Sequence, residues 1–205
     1  MAGLVLGSTL VSLLASAYVY DLSDFYRLNF VGGGAAGAKR AVNINAGFDE
    51  TSQILRERFT EAELVVLDFY DPARHTEVSI ARARRAYPPY PGTRTVTTET
   101  LPLADASVDR LFLTLAAHEI RDVEERIAFF RECCRVLAPG GRVYVTEHLR
   151  DAANFVVYNI GFLHFHSRRS WLATFAAAGL SVVEERKTTP FVSTFTLAAG
   201  ASATA

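Results

Sequence analysis

The sequence carries almost no excess charge of either sign: 21 Lys and Arg stand against 22 Asp and Glu in 205 residues. So even a balance leaves no basic stripe for a phosphate backbone, and no nucleic-acid partner is expected. Cysteine is scarce, and the two present, Cys133 and Cys134, are neighbours. Adjacent helical positions point about 100° apart, so neither a C-x-x-C redox pair nor a thiolate metal site is expected. They read as reduced thiols, one turned to the core, in a cytoplasmic protein. Charge is absent altogether from residues 2–20, and no Lys or Arg precedes them, so the basic region of a secretory signal peptide is missing. Ser8, Thr9, Ser12 and Ser16 interrupt that apolar stretch, and Gly3 and Gly7 weaken it as a helix, which argues against a membrane span. No internal repeat is present.

What is present is periodicity. Leu6, Leu10, Leu13, Leu14 and Ala17 recur at helical spacing, predicting a helix with one strongly apolar face. Two readings of that face stay open: packing on the domain or on a second subunit, as in a homodimer, and contact of residues 2–20 with a membrane surface or lipid-like substrate. A short helix is expected at 21–30 and a glycine-rich connector at 32–37, dividing an N-terminal segment (1–38) from one domain (39–198). From Lys39 onward strands and helices alternate, with strands at 40–45, 63–68, 93–98, 110–118 and 142–148. Helices are expected at 50–59, 76–85 and from Asp122 onward, and the Tyr-Pro-Pro-Tyr-Pro-Gly run at 87–92 reads as a turn. Such alternation predicts right-handed crossovers and a mainly parallel sheet covered on both faces. The end departs from the pattern: a helix at 170–178 closed by Gly179, then strand-like runs at 180–186 and 191–197 joined by four residues. That link permits a hairpin and is too short for a parallel crossover.

Residues 101–109 read Leu-Pro-x-x-Asp-x-Ser-x-Asp, followed by an apolar strand, His118, an amphipathic helix, Arg-Val-Leu-x-Pro-Gly-Gly-Arg at 135–142 and a further apolar strand. This order resembles the second half of a class I S-adenosylmethionine-dependent methyltransferase, and the resemblance extends over about 40–197. It implies an α/β, Rossmann-like doubly wound sheet of seven strands, mostly parallel with an antiparallel last strand and helices on both faces. It also implies S-adenosyl-L-methionine as cofactor, with S-adenosyl-L-homocysteine as product. Ligands in such sheets sit beyond the carboxyl ends of the strands.

At the first strand–helix turn the family carries an acid and then G-x-G-x-G. Here Asn43, Asn45, Gly47 and Asp49 stand at those positions, and only Gly47 is a glycine. Asparagine tolerates a left-handed backbone, so Asn45 can hold the turn, and Asp49 can cap the helix that follows. Asn43, Asn45 and Gly47 are therefore the candidate cofactor loop. Asp68, closing the second strand, suits the ribose hydroxyls, with Phe69 beside it; a turn-forming role ahead of Asp71-Pro72 is the alternative. Glu99 with the backbone of Thr100 and Leu101 is assigned to the adenine side, and Ala116 to the end of the fourth strand.

Methyl transfer is an in-line displacement, so a base is needed only when the acceptor carries a proton. The candidate catalytic groups are His118 and His148 at strand ends and His164 in a lid inserted at about 150–170. His118 also reads as the anchor of the next helix. On an extended segment His164 and His166 would point the same way, but two histidines without a third ligand predict no metal site. They read as lining an aromatic pocket, or as capping the last helix through Ser167. Tyr20, Asp21 and Tyr26 match the family's habit of closing an aromatic N-terminal helix over the cofactor. The expected function is methyl transfer from S-adenosylmethionine to O, N, S or C of a small, partly apolar acceptor. The alternatives are a non-catalytic or partner-activated methyltransferase-like domain, motivated by the missing glycines, and a methyltransferase acting on a membrane quinone or lipid.

Overall fold

The computed structural model describes residues 2–31, 37–74 and 78–200. Helix α1 (Ala2–Ala17) ends in a single wide turn at Tyr18–Leu22 and is hooked to α5 (Ala152–Tyr158) by the Ser12 hydroxyl, which donates to the Val157 carbonyl. Its Leu10, Leu13 and Leu14 are exposed, while Ala15 is buried, as is Val19 in the turn that follows. No helix among the described residues is long and apolar enough to cross a membrane. The helix expected at 21–30 is instead a run of tight turns, with a 3-10 turn at Phe25–Arg27 that ends on Leu28 in the left-handed region (φ 48°). Most of the expected connector, residues 32–36, lies outside the described residues.

Seven strands form one sheet: β1 (Arg40–Asn45), β2 (Glu63–Asp68), β3 (Arg94–Thr95), β4 (Val108–Thr114), β5 (Leu137–His148), β6 (Leu180–Lys187) and β7 (Val192–Ala199). Their order is β3-β2-β1-β4-β5-β7-β6. All neighbours pair in parallel except β7, which runs antiparallel to β5 on one side and β6 on the other. Helices α2 (Ser52–Arg58), α3 (Val78–Ala86), α4 (Val123–Val136) and α6 (Arg168–Ala177) complete the wound domain.

Period-2 alternation sorts the strand side chains between two cores. Val42, Ile44, Leu111, Leu113, Val143 and Val145 pack with Phe129, Phe130, Trp171 and Phe175 from α4 and α6. The intervening Ala41, Phe112 and Tyr144 face Leu55 and Phe59 together with Leu28, Phe30 and Val31. Strands buried on both faces read as continuous apolar runs, which is why β1, β4 and β5 stood out in the sequence. β1 and β2 match their expected limits. β3 is two residues long instead of six, because Arg94 and Thr95 are exposed at the sheet edge and give it no apolar face to bury. The strand expected to reach His118 stops at Thr114, since Leu115 takes a left-handed backbone (φ 50°) and the chain turns into a 3-10 turn at Ala117–Glu119.

β1 and β4 are adjacent, but the chain leaves β1 toward β2 on one side and leaves β4 toward β5 on the other. The connections diverge there and open a crevice at the carboxyl ends of both strands.

Candidate active site

A cavity of about 620 Å³ fills that crevice. The turn after β1 supplies Ala46, Phe48 and Glu50; the end of β4 and its 3-10 turn supply Thr114, Leu115, His118 and Glu119. His148 closes β5, Tyr20 arrives from the N-terminal segment, and Tyr158, His164 and Phe165 come from the lid. His118, His148 and His164 are thus brought to one space from three separate elements.

His118 sits in a carboxylate sandwich. Glu147, fully buried on β5, accepts the His118 backbone N–H at 3.2 Å and lies 2.7 Å from Nδ1. On the other side Glu119 Oε1 is 3.3 Å from His118 Nε2 and 3.6 Å from His164 Nε2. The two imidazole rings meet edge to face, with centroids 5.2 Å apart. Burial alone would push the His118 ring down, but the Glu147 carboxylate and the bonds with Glu119 and Glu147 outweigh it and hold the ring up at about 10. Burial would lift the Glu119 carboxyl, yet its bonds to His118 and His164 keep it well below the usual carboxylate range. His118 is thereby kept protonated in the metal-free protein, with one ring nitrogen facing each carboxylate.

His148 is the opposite case. Its Nδ1 lies 3.0 Å from the Phe191 carbonyl and 3.2 Å from Asn154 Oδ1. Asn154 turns that oxygen toward the ring because its Nδ2 donates to the Phe191 carbonyl and to Asp151 Oδ1. Both neighbours of Nδ1 are acceptors, so Nδ1 carries the proton and Nε2 is bare. The hydroxyls of Tyr20 and Tyr158 stand 3.3 and 3.4 Å from that Nε2. Burial pushes the His148 ring down, keeping it neutral, and it stacks on Phe165 at 4.9 Å.

The expected cofactor loop is built differently from its sequence reading in one respect. Asn43 spends its amide on the turn itself, donating to Asp49 Oδ1 and Ser52 Oγ while its oxygen accepts from Thr51 Oγ1. Asp49 Oδ1 caps α2 through the N–H groups of Thr51 and Ser52. Asn45 Oδ1 accepts from Gly47 N at 3.2 Å. Gly47 has φ +98°, and a Cβ there would lie 2.7 Å from the Tyr70 ring, so both backbone and space demand glycine.

Asp68 is buried at the end of β2, where Oδ1 accepts from Tyr70 N and Oδ2 from Arg84 Nη1 at 2.6 Å. The same Arg84 nitrogen reaches the Gly47 carbonyl at 3.1 Å, and the guanidinium lies 4.4 Å over the Tyr70 ring. What remains beside Asp68 is a void of about 40 Å³, bordered by Asn45, Gly47, Asp49 and Arg84. Two of its bordering atoms, Asn45 Nδ2 and Asp49 Oδ2, are buried with no hydrogen-bond partner among the described residues.

Other candidates are placed elsewhere. Glu99 and Thr100 are exposed and border neither of these spaces, and Leu101 is locked to α4, its N–H on Glu132 and its carbonyl on Arg135. Phe69 and Ala116 belong to the apolar core, Phe69 against Phe129. His164 and His166 do not point the same way, because a 3-10 turn at Asn159–His164 replaces the expected extended segment. His166 turns inward, accepting from Arg126 Nη1 at 3.1 Å with its ring edge-on to Trp171. Burial and the neighbouring Arg126 push it down to about 3. Sequence reasoning missed Glu119 as a site group, Glu147 as the partner of His118, and Arg84. The charge of Arg84 on a helix following an acidic strand end was the one available signal.

A model of the methyltransferase domain matches residues 42–145 of the chain. The malonyl-[acyl-carrier protein] O-methyltransferase of Methylococcus capsulatus is 34% identical over 104 residues, covering 51% of this chain and 35% of that protein. The chain thus matches about a third of that relative's length. Among solved structures, a SAM-dependent methyltransferase from Aquifex aeolicus superposes with a TM-score of 0.63 at 14% identity, over 93% of this chain and 97% of that one. An S-adenosylmethionine-dependent methyltransferase from Mesorhizobium loti gives 0.54 at 17% identity, over 85% and 96%. At those identities the likeness is one of fold, and it is the domain match that assigns the chain. With half its length covered by the model, the chain belongs to the methyltransferase domain family.

Proposed function

We propose that the chain transfers a methyl group from S-adenosylmethionine to an oxygen or nitrogen of a small, partly aromatic acceptor held in the 620 Å³ cavity. S-adenosylmethionine, when bound, supplies a methyl group on a positively charged sulfur. The residues beside Asp68 fit such a ligand: a buried carboxylate suits sugar hydroxyls, and the unpartnered Asn45 amide and Asp49 oxygen offer one donor and one acceptor more. Room for it requires Arg84 and Tyr70 to move off Asp68 and Gly47.

The observation that carries the reading is the bare Nε2 of His148 at the cavity wall. Its tautomer is set from behind by Phe191 and Asn154, so a hydroxyl or amine of the acceptor can take the place of Tyr20 or Tyr158 and give its proton to that nitrogen. Phe48, Leu115 and Phe165 give the wall an apolar stretch, which favours a flat acceptor. Calorimetry with S-adenosylhomocysteine tests the cofactor half: binding at micromolar concentration is expected, and none at millimolar concentration would remove the proposal.

A second reading, a partner-activated domain, is favoured by one observation: Arg84 already occupies the carboxylate that the ribose needs. The two differ in whether the isolated chain binds S-adenosylhomocysteine. Membrane contact is supported by the exposed leucines of α1 and the exposed Phe155 and Val156 of α5. Flotation with liposomes, compared with a chain lacking residues 1–20, decides it.

A further inference from the structure

We propose that His118, Glu119 and His164 form a site for one divalent transition-metal cation, of the zinc or iron(II) kind, facing the main cavity. Its existence is independent of methyl transfer; only its use rests on that reading.

The geometry is close to that of a loaded site. Ligand atoms about 2.0–2.1 Å from a cation in tetrahedral array stand about 3.4 Å from one another. Glu119 Oε1 is 3.3 Å from His118 Nε2 and 3.6 Å from His164 Nε2, so two of three edges already have that length. All three ligand atoms lie within 4.8 Å of one another, and a small turn of His164 closes the remaining edge.

The support behind the ligands points the same way. Nδ1 of His118 is held at 2.7 Å by Glu147, whose other oxygen accepts the His118 N–H. A carboxylate behind an imidazole fixes its orientation, and a cation binding at Nε2 displaces the proton held there. The ligands come from two segments, the 3-10 turn after β4 and the end of the lid, and Arg121 joins them by donating to the carbonyls of both His118 and His164. Two buried carboxylates, one at each nitrogen of the His118 ring, need positive charge, and a dication provides it. Two imidazoles with one carboxylate select zinc or iron(II) over magnesium or calcium, which prefer all-oxygen sets. The protein fills three positions only, and the remainder open onto the cavity shared with His148. In the methyl-transfer reading an oxygen or nitrogen of the acceptor takes that open position and is held there for His148.

The full chain, stripped with a chelator, is titrated with cobalt(II) and followed by visible absorption. One equivalent is expected to bind with the intense bands of four- or five-coordinate nitrogen–oxygen sites, and one equivalent of zinc to displace it. His164→Gln and Glu119→Gln should each weaken cobalt binding by at least about 100-fold, beyond the loss usual for a supporting residue, with circular dichroism unchanged. His164 is a third exposed on the lid, so its variant reports even if Glu119→Gln fails to fold. No cobalt bound at equimolar protein, or undiminished binding in the folded variants, overturns the site. S-adenosylhomocysteine binding is measured on the same samples. Cobalt binding without it removes the methyl-transfer reading and leaves the metal site standing, and the reverse result does the opposite.

Discussion

Arg84→Met is expected to tighten S-adenosylhomocysteine binding. Arg84 pairs with Asp68 at 2.6 Å, with 33% of the arginine side chain and 6% of the aspartate side chain exposed. A charge-assisted hydrogen bond contributes about 1.5–3 kcal/mol. Screening at the partly exposed arginine reduces this to about 1–2 kcal/mol. A ligand that needs Asp68 must first break the pair, so its apparent affinity is lowered by the same free energy, about 5–30-fold at 1.4 kcal/mol per decade. Methionine keeps an apolar chain of similar length and removes the charged guanidinium that lies over Tyr70. The variant should therefore bind the product that much more tightly by calorimetry at neutral pH. It should also melt a few degrees lower when ligand-free, because among the described residues the Asp68 carboxylate then keeps only the Tyr70 N–H. In Asp68→Asn the gain from Arg84→Met should vanish, since the pair no longer exists. Equal or weaker binding in Arg84→Met would show that Arg84 is part of the cradle and that the blocking argument is wrong.

Further outcomes follow at His148, Gly47 and His166. His148→Gln should lower kcat by about 10²–10⁴-fold while leaving S-adenosylhomocysteine binding intact. Because burial pushes His148 down and the neutral form is the base, kcat/KM should hold at pH 6.5, the ordinary histidine value, and fall only below it. An acid limb centred above 6.5 would point to another group. Gly47→Ala combines a backbone at φ +98° with a Cβ 2.7 Å from Tyr70. A cost of about 2–4 kcal/mol is expected, seen as a fall in Tm of roughly 5–15 °C. His166 is held at about 3 in the fold against 6.5 for an ordinary ring. The unfolded chain therefore takes up a proton first, and stability present above 6.5 is lost as pH falls toward 3. Urea unfolding of His166→Gln should show a shallower pH slope between about pH 7 and pH 4 than the parent.

The strands that build the crevice were legible because burial on two faces writes an apolar run: β1 and β2 match their expected residues, while β5 begins five residues before the expected 142 and takes the Pro-Gly-Gly run, read as its lead-in, into the strand. The end of β4 was not legible. Leu115, Ala116 and Ala117 continue the apolar run, and the break is a leucine in a left-handed conformation that composition does not announce. His118 and His148 were findable because strand ends meet at the switch point. Their roles were not, since they depend on what lies behind each ring: Glu147 for one, Asn154 and Phe191 for the other. Glu147 lies 29 residues from His118 and Phe191 lies 43 from His148, and the sheet order brings both near. The same holds for Arg84, whose grip on Asp68 depends on where α3 lies over the end of β2.

The strand β7 comes last in the chain yet lies inside the sheet, between β5 and β6. During synthesis the outer edge of β5 is therefore bare until β7 has been made. The Phe191 carbonyl that orients the His148 proton is also delivered only then. A nascent chain with six strands made lacks the acceptor that sets the His148 tautomer, so in the proposed role the ring is oriented only once β7 has docked.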